Sequence, residues 1–203
     1  MLAALLFFGA MFWAKGRDPF QRIWFDVRPG GYPKTECVAV LPKTAPRPLP
    51  VVIYLHGSGG SLLGSGNELR QMAEMGLAAV GMEYDQTNAA VSAAQWATLL
   101  RWIRRQSWAD SNRVAWVGFS LGAQRQLAFA LEHPEAQPNL LVRLSGGSSP
   151  ELEDLETARA ATPRFSSLLI HGERDEVFPL AEARRVAGWL RTNGVPVQLK
   201  VVP

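Results

Sequence analysis

Apolar residues in this chain fall into short runs separated by longer periodic stretches. Val51–Leu55 (VVIYL) is apolar throughout, and Leu77–Met82 nearly so. Runs of that length without alternation predict strands buried on both faces. Ala90–Arg105 instead places Trp96, Leu99, Leu100 and Ile103 at helical spacing, which predicts a helix with one apolar face. The alternation continues with strands at Arg113–Val117, Leu140–Leu144 and Ser167–Ile170, and with a helix over Leu121–Glu132 closed before Pro134. A last helix, Leu180–Thr192, stops at Asn193-Gly194, and Val197–Val202 is the last strand. Two strands lead the chain, Ile23–Val27 and the alternating Glu36–Leu41. The proline-rich Lys43–Pro50 (KTAPRPLP) reads as a surface connection, because proline donates no ladder hydrogen bond. Strands alternating with helices of this length predict an α/β fold: a mostly parallel central sheet, helices on both faces, and an antiparallel edge formed by the leading pair.

Composition adjusts this picture at the N-terminus. The 203 residues are 47% apolar and 19% charged, enough for one domain with a sizeable core. Met1–Ala14 (MLAALLFFGAMFWA) carries no charge, and Lys15, Arg17 and Asp18 follow. A helix of that length rises about 21 Å, short of the ~30 Å hydrocarbon layer. Residues 1–18 are therefore read as an apolar leader or anchor and residues 19–203 as the globular domain. Export or membrane anchoring is slightly favoured over a cytoplasmic protein with this segment packed on its surface. Lys and Arg number 21 against 18 acidic residues, a net charge of +3. The arginines are scattered, which argues against a nucleic-acid groove and leaves membrane contact to residues 1–14 alone. The lone Cys37 rules out an internal disulfide and reads as a small core residue. Three histidines and one cysteine do not furnish a tetrahedral zinc site, and no metal or organic cofactor is expected.

The sharpest chemical signal is Gly118-Phe119-Ser120-Leu121-Gly122, between the strand RVAWV and a helix opening at Leu121. In that setting a G-x-S-x-G pattern places the serine on a strained strand-to-helix turn, with its hydroxyl at the carboxyl end of the sheet. The helix N-terminus behind it favours developing negative charge. The bland alternative is a glycine-rich βα turn whose serine caps the helix. Upstream, His56-Gly57-Ser58-Gly59-Gly60 leaves the strand VVIYL directly. Such a loop can aim backbone N–H groups at an oxyanion, and neither phosphate-binding fingerprint accompanies it. Two donors are needed: Ser58, with Gly59 next in line, and Leu121, the residue after the serine. Gly59 and Phe119 are the candidate substrate-binding positions.

The ordered set HGSGG, GFSLG and Ile170–Pro179 (IHGERDEVFP) resembles the α/β-hydrolase family over roughly Glu36–Pro203. Within it, the sequence looks most like small esterases of the dienelactone-hydrolase and prolyl-oligopeptidase-like branches. The resemblance implies a serine hydrolase that cleaves a small-molecule carboxylic ester through an acyl-enzyme on Ser120, with Asp175 as the triad carboxylate. From the residues alone, Glu173 and Glu176 remain alternatives for the acid, and Asp175 could equally pair with Arg174 or cap the helix near Leu180.

The resemblance also implies a base histidine in a loop after the last strand and a final helix beyond it. The sequence given stops at Pro203, so the expectation is a chain truncated after its last strand. His56 and His171 match structural positions of the family motifs, and His133 sits at the far end of the helix that follows Ser120. Two rivals follow: a non-catalytic binding protein that kept the fold without its base, and a small serine peptidase. Glu83 and Asp85 lie at the sheet edge where a pocket would form, and a solvated loop is the plainer reading for both. Trp96, Trp102, Trp108 and Trp189 read as sheet cover. The acidic Glu151–Glu156 (ELEDLE) reads as a helix start.

Overall fold

The computed structural model describes residues 18–147 and 164–203. It contains one sheet of eight strands in the order β1-β2-β4-β3-β5-β6-β7-β8. These are β1 (Phe20–Val27), β2 (Thr35–Pro42), β3 (Leu49–Leu55), β4 (Ala78–Met82), β5 (Ala109–Phe119), β6 (Leu140–Leu144), β7 (Ser166–Gly172) and β8 (Val197–Val202). Strands β1, β2 and β4 pair antiparallel in turn, and every pair from β4 to β8 is parallel. The α/β-hydrolase fold read from the sequence is thus the fold observed, antiparallel edge included.

Side-chain alternation divides the core into two layers. In β3, Val51, Ile53 and Leu55 face one cluster while Val52 and Tyr54 face the other. The first cluster is covered by α2 (Ala89–Ile103), α3 (Leu121–Glu132) and α4 (Leu180–Thr192), through Leu99, Leu127 and Leu190 among others. Trp116 of β5, fully buried, meets Trp96 of α2 edge-on at 5.0 Å. The opposite cluster is covered by α1 (Gly66–Glu74), which buries Leu69 and Ala73. Cys37 lies wholly within β2, and burial pushes its thiol up to about 12, so it stays protonated.

Three details depart from the sequence reading. Helix α1 occupies a stretch to which the apolar pattern assigns no element. Only Leu69 and Ala73 are buried, too sparse a stripe to see beside Gly64 and Gly66. The connection Lys43–Pro50 ends early, for Leu49 and Pro50 already belong to β3. Pro50 is tolerated there because it opens the strand beside a register irregularity, where no ladder donor is required. Finally, β5 begins at Ala109 rather than Arg113, its first residues pairing with Leu49 and Pro50. The apolar segment 1–14 and the acidic run Glu151–Glu156 lie outside the described residues. Among the described residues, no helix is long and apolar enough to cross a membrane.

Candidate active site

The carboxyl ends of β3, β5, β6 and β7 bring the motifs together. Ser120 joins β5 to α3 with φ +51° and ψ −117°, a conformation that only glycine adopts without strain. Its neighbours explain how the chain can turn there. A Cβ on Gly118 would stand 2.5 Å from the Ala123 nitrogen, and one on Gly122 only 2.4 Å from the Leu55 carbonyl oxygen. Both positions therefore require glycine, so that α3 can close onto the elbow and onto β3. The Ser120 N–H donates to the Leu144 carbonyl at 2.9 Å, fixing the turn to the end of β6.

The first intrahelical bonds of α3 run from Ala123 and Gln124 to the Ser120 carbonyl. The Leu121 N–H precedes them, at the position where a helix leaves donors for a ligand. The HGSGG loop packs directly against this elbow: a Cβ on Gly57 would lie 2.8 Å from the Phe119 ring and 3.1 Å from the Ser120 Cβ. Ser58 is exposed at the tip of the loop. Phe119, 44% exposed, flanks a groove of about 210 Å³ that also takes in Tyr54, Gly57, Ser58 and Glu68. Gly59 is placed differently from the sequence expectation. Its N–H donates to the Gln86 side chain at 2.7 Å, so it is not the spare oxyanion donor.

The loop after β4 serves as a template for the HGSGG loop. The Tyr84 hydroxyl donates to the His56 carbonyl at 2.8 Å, and burial pushes this phenol up, so it keeps its proton. Glu83 accepts from the Leu62 N–H at 2.8 Å and stands 3.5 Å from His56 Nε2. Asp85 accepts from the Thr87 and Asn88 amides, and this anchors the approach to α2. Glu83 and Asp85 thus hold backbone. Gln86, to which the sequence reading gave no role, completes the set.

The loop that carries Asp175 follows β7. Asp175 Oδ1 accepts from the Val177 and Phe178 N–H groups at 3.0 and 2.9 Å. The Phe178 amide foremost, against the opposing effect of burial, holds its carboxyl below the ordinary carboxylate range, with Val177, His171 and the Ser145 hydroxyl assisting. Ser145, with φ +45° at the end of β6, also went unnoticed in the sequence. Its N–H donates to the Ile170 carbonyl, which ties the end of β6 to β7. Among the described residues, neither Glu173 nor Glu176 makes comparable side-chain contacts in the loop, and Asp175 does not cap α4, whose N-terminal flank is Pro179 without a side-chain bond.

The depressed Asp175 titration gives a signed prediction. A carboxyl whose folded pKa lies below its unfolded value adds stability above about pH 4, and loses it as pH falls through the folded pKa. Asp175→Asn keeps an oxygen for the two amides but removes that titration. Its urea midpoint should therefore fall less steeply than wild type below about pH 4. Parallel acid limbs for the two proteins would contradict the assignment.

Each histidine is held elsewhere. His56 is buried against Tyr84, its Nδ1 2.9 Å from the Gly57 oxygen. His171 is buried, with Nε2 2.7 Å from the Phe178 carbonyl and 3.7 Å from Asp175 Oδ2. His133 stacks on Phe129 beyond the last residue of α3, about 18 Å of helix from Ser120.

The sequence model of the phospholipase/carboxylesterase family matches residues 75–203. The chain belongs to that family. The matched span takes in Ser120 and Asp175 and begins after the HGSGG loop. No curated protein matches the chain in sequence. Among solved structures, a bacterial heroin esterase is 18% identical over 98% of this chain and 81% of that one, with a TM-score of 0.76. A thermostable esterase from Pseudomonas putida is 17% identical over 91% of this chain and 73% of that one, with a TM-score of 0.72. A dienelactone hydrolase-like promiscuous phosphotriesterase from metagenomic libraries is 19% identical over 91% and 82%, with a TM-score of 0.74. At these identities the likeness is one of fold. This phospholipase/carboxylesterase-family member therefore shares its fold with esterases and a dienelactone hydrolase-like protein.

Proposed function

We propose that this family member is a serine hydrolase that cleaves a small carboxylic ester through an acyl-enzyme on Ser120. The observation that carries the reading is the strained backbone of Ser120, held at a sheet edge by two glycines that admit no side chain. In the first step Oγ bonds to the ester carbonyl carbon and its proton passes to a histidine base, which His56, His133 and His171 do not supply and which the family resemblance places in a loop after β8. The carbonyl electron pair moves onto oxygen, where the N–H groups of Ser58 and Leu121 stabilise it. Collapse expels the alcohol, which takes the proton, and water repeats the sequence to release the acid. Asp175 stays anionic and orients the base. The phospholipase/carboxylesterase family model supports an ester over an amide, and the groove beside Phe119 suits small or extended substrates.

A second reading, a non-catalytic binder, is favoured by one observation: His56, His133 and His171 are all engaged away from Ser120. A fluorophosphonate probe separates the two. Applied to the full-length protein, it should lose fluoride and leave a stoichiometric adduct that peptide mapping assigns to Ser120. A protein that remains unlabelled is the binder. Comparison of matched ester and amide substrates then tests the peptidase alternative.

A further inference from the structure

We infer that Gln86 is a positioning residue for the oxyanion loop, and this rests on reading the Ser58 N–H as an oxyanion donor. Gly57–Gly60 form a tight turn, closed by the Gly60 N–H to the Gly57 carbonyl at 3.1 Å. Gly59, third in the turn, has φ +72°, the mark of a type II turn. Such a turn interconverts with type I by rotation of its central peptide, here the one joining Ser58 to Gly59. That rotation reverses the directions of the Ser58 carbonyl and the Gly59 N–H. It would break the bond from the Gly59 N–H to Gln86 and release the segment that carries the Ser58 N–H.

Gln86 holds two peptides of the loop, the one joining Ser58 to Gly59 and the one joining Gly60 to Ser61. Its Oε1 accepts the Gly59 N–H at 2.7 Å and its Nε2 donates to the Gly60 carbonyl at 3.1 Å. The primary amide, one donor and one acceptor in a fixed plane, suits this pair of groups; a carboxylate or an ammonium matches only one of them. The Gln86 backbone is tied in turn to the elbow helix, its carbonyl accepting from Arg125 Nη2 at 3.5 Å. Loop, template and nucleophile helix are therefore linked through this residue. Glu83 and Tyr84 grip the loop at Leu62 and His56, outside the turn, and leave the central peptide to Gln86.

The test uses the full-length protein and the rate at which a fluorophosphonate labels Ser120, separated into kinact and KI. Gln86→Leu removes both bonds at similar volume. It should lower kinact about 10- to 100-fold per titratable site, below the loss of a whole oxyanion donor, and leave KI within about threefold. Gln86→Glu keeps the acceptor for the Gly59 N–H and should fall between Leu and wild type. Thermal melting separates this from a scaffold role, which would lower the melting temperature and the fraction of labelled protein without slowing each labelled site. An unchanged kinact in Gln86→Leu overturns the inference while the serine-hydrolase reading stands. A wild-type protein that does not label overturns both.

Discussion

Ser120→Gly should yield a protein that is more stable than wild type and chemically silent. Both effects come from the same torsion. At φ +51° and ψ −117°, any residue with a Cβ carries strain on the order of 1–3 kcal/mol, and glycine carries almost none. Part of that relief is lost to glycine's greater freedom in the unfolded chain, leaving a net gain of about 1 kcal/mol. Turnover should fall about 10⁵-fold, because the remaining machinery cannot replace a missing nucleophile. Ser120→Ala is the companion variant: equally inactive, but still strained and therefore not stabilised. Urea unfolding and ester hydrolysis measured on all three proteins decide the matter. If glycine and alanine melt together, the torsion stores no strain. If either variant keeps wild-type turnover, Ser120 is not the nucleophile.

The second large effect is structural. Gly122→Ala would place a methyl 2.4 Å from the Leu55 carbonyl oxygen and 2.6 Å from that of His56. Neither atom can retreat, since β3 is clamped between β4 and β5 in the middle of the sheet. The helix must instead tilt away from the elbow, and a cost of about 4 kcal/mol is expected, a large share of a typical domain's stability. Gly188→Ala provides the contrast. It lies on the exposed side of α4 with nothing within 4 Å of its would-be Cβ, and it should stabilise by about 0.5–1 kcal/mol. Denaturant midpoints of opposite sign for these two substitutions would support the close approach of α3 to β3. A tolerated Gly122→Ala would show that the elbow packs more loosely than described.

Much of this architecture can be read from the sequence because burial on both faces writes a strong signature. VVIYL has no polar position to confuse it, and the helix Leu121–Glu132 is bounded by chemistry at both ends. Helix α1 is harder to see, for it covers the sheet with only two buried residues and carries glycines at its start. The candidate site divides in the same way. Ser120 and Asp175 stand in local patterns whose meaning lies within a few residues. Gln86 and Ser145 act across strands, Gln86 on a turn 26 and 27 positions away, and no local pattern marks such a residue. The signal that would have found Gln86 is weak: a polar amide just beyond a buried strand adjacent to the one that launches the HGSGG loop. The template role of Glu83 and Asp85 escaped the sequence for the same reason. Both look like solvated loop residues until their backbone partners are placed.

The buried sulfur of Cys37 has a practical corollary. Because that thiol is sealed inside a strand flanked on both sides, a thiol-specific dye should find it only when the sheet comes apart. The molecule thus carries its own tracer for global opening, remote in chemistry from the hydroxyl at the elbow and silent while the native state persists.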